Sequence, residues 1–120
     1  MPEHDPQEDG SAAREISSAT MRVMRDYTGR GPTKARTFIA RDLVTVVLSD
    51  TLTKAEQKLA DGGDEQTVMT LRRRFQDTMR EDLTAVVEDA LGRKVAAFMS
   101  ANHVDPDMAA EIFVLEPEGS

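Results

Sequence analysis

From Val68 onward, apolar residues return every three or four positions: Val68, Leu71, Phe75, Met79, Leu83, Val86, Val87, Ala90 and Leu91. That spacing is one face of an amphipathic helix. Asp64 before it can cap the first amides, and Gly92 after it can take the left-handed conformation that ends a helix. At about 1.5 Å per residue such a helix crosses one whole face of a small sheet. The rest of the chain must therefore present it with a broad apolar partner, and the helix supplies about half of the core.

The flanking segments have the composition of that partner. Lys34 to Ala40 and Leu43 to Leu48 are short runs rich in Val, Ile, Thr and Phe, separated only by Arg41-Asp42, and they read as a hairpin. Lys94 to Ala101 and Met108 to Leu115 read as a second hairpin, joined by residues 102–107. Leu43-Val44-Thr45-Val46-Val47-Leu48 is almost continuously apolar, which places it at the sheet centre or under cover on both faces. Ahead of the first hairpin, Ala12, Ile16, Ala19, Thr20, Val23, Met24 and Tyr27 predict a helix with Ser11 as its cap and Gly29 as its stop. Thr53-Lys54-Ala55-Glu56 has the capping-box form and starts a short helix that Gly62-Gly63 should end.

The predicted order is α-β-β-α-α-β-β, a two-layer α+β domain with a four-stranded antiparallel sheet backed by helices. Strand order does not follow from this pattern, and a tunnelling-type and a ferredoxin-like arrangement both fit. Residues 1–10 hold two prolines, a glycine and four carboxylates and are expected to be a disordered acidic tail; residues 11–117 form the single domain and 118–120 a second tail.

With no cysteine, the chain has no disulfide, thiolate nucleophile or cysteine-ligated metal. The start Met1-Pro2-Glu3-His4-Asp5 lacks the pattern of a secretory signal, and no window is apolar enough to span a bilayer, so a cytoplasmic protein without membrane insertion is expected. The net charge of -7 is unevenly distributed. Residues 12–41 carry seven basic and two acidic side chains, whereas residues 42–120 carry eight basic and sixteen acidic ones. The acidic remainder and the scarcity of aromatic residues, four Phe and one Tyr, disfavour nucleic-acid binding.

The turn Gly29-Arg30-Gly31-Pro32-Thr33-Lys34, with Arg36 and Arg41 close in sequence, is the candidate site. Its glycines and proline impose a special backbone, and its cations suit a small anion or an acidic protein surface; a rigid helix-to-strand connector accounts for the same residues. It is not a Walker loop, because it precedes a strand and lacks the spacing. His103, Asp105 and Asp107 offer metal-type donors within one loop, but Asp-Pro-Asp is equally turn chemistry. Arg72-Arg73-Arg74 reads as a solvated helix face, with Asp77, Glu81 and Asp82 near enough along the helix for ion pairs. Met24 and Met79 fall on apolar stripes and read as packing. No catalytic constellation or cofactor motif is present.

Four segments together resemble the MpsC-like proteins, a small bacterial domain family: Arg14-Glu15-Ile16-Ser17, Tyr27 through Arg36, Leu52-Thr53-Lys54-Ala55-Glu56-Gln57, and Asp105-Pro106-Asp107 through Phe113-Val114-Leu115-Glu116. The resemblance implies a link to a sodium-translocating, membrane-potential-generating system whose membrane partners are associated with inorganic carbon uptake. It carries no catalytic residues. The expectation is a noncatalytic accessory or regulatory homodimer, docking on a membrane transport subunit or binding an anion through the basic turn. A ligand-binding or enzymatic oligomer with sites between subunits, using Arg30, Arg36, His103 or Glu111, is the alternative, ahead of nucleic-acid binding.

Overall fold

The computed structural model describes residues 10–118, so the expected tail over residues 1–10 lies almost wholly outside the described residues. The elements come in the expected order: α1 (Ser11–Thr28), β1 (Lys34–Ala40), β2 (Leu43–Ser49), α2 (Lys54–Asp61), α3 (Glu65–Leu91), β3 (Val95–His103) and β4 (Met108–Leu115). The strands form one antiparallel sheet in the order β1-β2-β4-β3. Each hairpin thus places its second strand inside, with β2 against β4. A ferredoxin-like domain runs β-α-β-β-α-β with single strands at its ends, whereas here both strand pairs are hairpins and the sheet order is β1-β2-β4-β3, which corrects the ferredoxin-like expectation.

Local chemistry explains most boundaries. Gly29 closes α1 at φ 78°, donating its amide to the Arg25 carbonyl at 2.8 Å. Ser11 is not the cap of α1: it is the first helical residue, Gly10 occupies the cap position, and no side chain caps the end. The α1 stripe is also rotated from the one predicted, with Ala13, Ile16, Ser17, Thr20 and Met24 buried and Tyr27 turned out to hydrogen-bond Asp82 at 2.7 Å. The capping box at α2 is complete, with Glu56 N donating to Thr53 Oγ1 at 3.2 Å and Thr53 N to Glu56 Oε1 at 2.9 Å. Asp64 caps α3 through Thr67 N, and Gly92 at φ 65° ends it.

Helices α1 and α3 lie on one face of the sheet. Ile16 and Met24 of α1 and Met79, Leu83 and Val87 of α3 pack against Val44, Val46 and Leu48 of β2 and Ala109, Phe113 and Leu115 of β4. Burying a side chain of this size is worth roughly 1.5–3 kcal/mol, so this shared core is what holds the layers together. Met24 and Met79 are packing residues, as their stripes predict. The residues that alternate to the opposite face, such as Leu43, Thr45 and Val47 on β2 and Ala110, Ile112 and Val114 on β4, are exposed or half-buried. Strand β2 is therefore interior in the sheet but covered on one face only.

Candidate functional site

The basic turn is braced from within. Gly31 packs so closely on α1 that a Cβ there would come within 3.3 Å of the Arg25 side chain. Arg30 reaches across to the Leu52 carbonyl at 2.7 Å, and the Thr28 hydroxyl donates to the Arg30 carbonyl at 2.8 Å. The amides of Gly29, Arg30 and Thr33 are engaged by Arg25 O, Thr28 Oγ1 and Ser49 O, while the Thr33 hydroxyl donates to Asp50. Pro32 is buried and has no amide to offer. The turn presents side-chain cations on its outer surface, with most of its backbone donors turned inward.

The predicted cations do not form one cluster. Arg30 and Lys34 flank the turn, and Arg25 of α1 joins them in the last turn of its helix. Arg36 points to the open face of the sheet, where its guanidinium lies 5.0 Å from the Phe38 ring centre. Arg41 sits at the far end of β1, about 20 Å away along the strand, with its carbonyl held by Arg93 at 3.2 Å.

At the second hairpin, Asp107 is a clasp. Its carboxylate accepts from Thr51 N, Thr51 Oγ1 and Leu52 N, each at 2.9 Å, and its carbonyl accepts from Asp50 N. His103 Nδ1 donates to the Pro106 carbonyl at 2.8 Å. Among the described residues no group of three or more His, Asp or Glu is placed to hold a metal ion, so His103, Asp105 and Asp107 are not brought together as ligands. Asp107→Ala strands two amides and a hydroxyl, and a loss of about 2 kcal/mol in urea denaturation is expected.

Polar groups missed in the sequence run through the layer interface. Arg72 is 1% exposed, which corrects the reading of Arg72-Arg73-Arg74 as a wholly solvated face. Val68, Arg72, Gln76 and Met79 occupy one inward stripe of α3, and helical period carries Arg72 and Gln76 into the core whatever their polarity. Arg72 Nη1 lies 3.5 Å from Glu56 Oε1 and donates to the Thr51 carbonyl at 3.3 Å. Of the three carboxylates expected to pair along the helix, Asp77 meets Arg80 at 3.7 Å and Asp82 takes the Tyr27 phenol.

Glu111, fully buried on β4, accepts from Gln76 Nε2 at 2.9 Å and from the Ser100 hydroxyl. Gln76 and Asn102 exchange a reciprocal pair of amide hydrogen bonds at 3.0 and 2.9 Å. Burial pushes the Glu111 carboxyl up to about 7, against the lowering effect of Ser100, Gln76 and the Arg72 charge. Above this network, a groove of about 470 Å³ opens between α3 and β3, rimmed by Arg73, Asp77 and Arg80. The sequence named Glu111 only as a group for a site between subunits; the signal for its burial is its place between Ala109 and Phe113 on the inward alternation of β4.

What the fold and these groups define is a small two-layer α+β domain with a buried polar seam, a braced basic turn and one sheet face left open. The chain belongs to the MpsC family: residues 8–117 match the model of the family described as Na+-translocating membrane potential-generating system (MpsC). It is also similar to the uncharacterized protein YbcI of Bacillus subtilis (strain 168), 29% identical over 92 residues that cover 74% of this chain and 73% of that protein. No solved structure matches the chain at significance. Membership associates the chain with a sodium-translocating system, yet among the described residues no helix is long and apolar enough to cross a membrane.

Proposed function

We propose that the chain is a noncatalytic accessory subunit of a sodium-translocating system, docking on an acidic surface of a membrane subunit through the cations around the α1–β1 turn. The observation that carries this reading is the excess of positive charge in one stretch of the chain, of which Arg25, Arg30 and Lys34 come together at the α1–β1 turn. Residues 12–41, with seven basic and two acidic side chains, make up α1, the braced turn, edge strand β1 and the start of the β1–β2 turn, while the rest of the chain is acidic. Arg30 lies on, and Arg25 of α1 and Lys34 of β1 adjoin, a turn whose backbone is fixed by its own hydrogen bonds, so little order has to be gained on binding. Surface charges of this kind steer association and weaken with salt.

The test is capture of a membrane subunit of the sodium-translocating system from gently solubilised source membranes. Arg25→Glu with Lys34→Glu, leaving the structural Arg30 in place, is expected to lower capture at least tenfold with little change in melting temperature. The native capture should fade as salt is raised. Undiminished capture by the double variant would sink the assignment to this flank.

A further inference from the structure

We propose that the open face of the sheet is a homodimer seam, on which a second copy of this chain packs sheet to sheet about a two-fold axis parallel to the strands. The inference concerns the open sheet face, which meets the docking flank at Lys34, and does not depend on that docking.

Among the described residues, four large apolar side chains stand exposed, and three of them lie on this face: Leu43 at 43%, Met99 at 49% and Met108 at 36%. The register joins them into one surface. Phe38, Thr45, Ile112 and Met99 form a row across all four strands, and Arg36, Val47, Ala110 and Ala101 form the next. No acidic residue faces outward from the strands here, and the cations Lys34 and Arg36 occur only on edge strand β1. Monomers rarely expose a contiguous apolar patch of more than a few hundred Å².

The area matches a second copy. The four strands, about 4.8 Å apart and about seven residues long at about 3.3 Å per residue, make a face of about 19 by 23 Å, or about 440 Å² in projection. Side-chain relief raises the accessible area, so two such faces reach the roughly 1,000 Å² total that marks a specific interface. A sheet is self-complementary in shape, and two inner faces pack about 10 Å apart in a sandwich.

Charge selects the axis. A two-fold across the strands would stack β1 on β1 and gather four cations along one rim. A two-fold parallel to them sets β1 over the partner's β3, with the cation pairs on opposite rims. It also sets the bulky Arg36 and Phe38 over a strand that offers Ala97 and Ala101 on either side of Met99.

Sedimentation of the full chain at micromolar concentration is expected to give twice 13.2 kDa. Ile112→Lys and Met99→Lys should each weaken association by roughly 100-fold, because a charge would be buried at the seam. Met99 is already half exposed on an edge strand, so its variant should retain the native circular dichroism and decide the matter if Ile112→Lys fails to fold. A monomeric native chain, or a dimer that survives Met99→Lys, would overturn the proposal and leave the face to a different partner. In a chain without native cysteine, Phe38→Cys mixed with Met99→Cys should give the cross-linked dimer; cross-linking of Phe38→Cys to itself would refute the axis.

Discussion

Arg72→Ala is expected to cost about 3 to 5 kcal/mol of folding stability, the largest effect of any single polar substitution in the chain. The guanidinium is 1% exposed and lies against the carboxylate of Glu56, itself 2% exposed. Removing the cation leaves that carboxylate charged in a dry interface and frees the Thr51 carbonyl. It also removes the positive charge that holds Glu111 below the value burial alone would set. Among the described residues Arg72 Nε, Arg72 Nη2 and Glu56 Oε2 have no hydrogen-bond partner, so the pair is only partly compensated for its desolvation.

An incompletely satisfied buried pair predicts a specific non-additivity. Arg72→Met combined with Glu56→Gln should recover most of the loss, because the glutamine can still accept the Thr53 amide in the capping box and no lone charge remains. Urea denaturation of the two single variants and the double closes the cycle. A cost below about 1 kcal/mol for Arg72→Ala would mean that water reaches the pair.

Glu111→Gln should stabilise the fold by about 3 kcal/mol at pH 8 and by little at pH 4.5. The carboxyl ionises near 4.5 in the unfolded chain and near 7 in the folded one. Between those values the folded chain holds the proton and the unfolded chain has released it, so stability falls as pH rises. The cost is absent below the unfolded value and complete above the folded one. A glutamine at this position is neutral throughout, and its amide can still meet Ser100 and Gln76. The informative quantity is the difference in unfolding free energy between native and variant across that range. A difference that stays constant with pH would contradict the burial argument.

Arg72 and Glu111 are residues whose burial the sequence hid, and the reason is physical. Element type was readable because it depends on local periodicity and capping: the Val68-to-Leu91 stripe, the Thr53 capping box and the terminal glycines all act within a few residues. Strand order was not, since pairing of β2 with β4 depends on how two hairpins meet across the helices. Arg72 escaped for a related reason. In sequence it belongs to an arginine run, and only the positions of Glu56 and Thr51 on other elements make its burial tolerable. The basic turn was readable as a piece of backbone, whereas the spread of its cations followed from the length of β1, which carries Arg41 to the opposite end of the sheet.

The strand order also bears on synthesis. The central ladder of the sheet joins Val46 to Glu111, and β4, the last strand to leave the ribosome, is the one inserted between β2 and β3. Until it emerges, β2 lacks one of its two neighbours and the core lacks Ala109, Phe113 and Leu115. The nascent domain therefore holds α1, α3 and the first hairpin with part of their apolar faces uncovered until β4 is made, a state in which holding chaperones find more to bind than on a fold built of sequential strands.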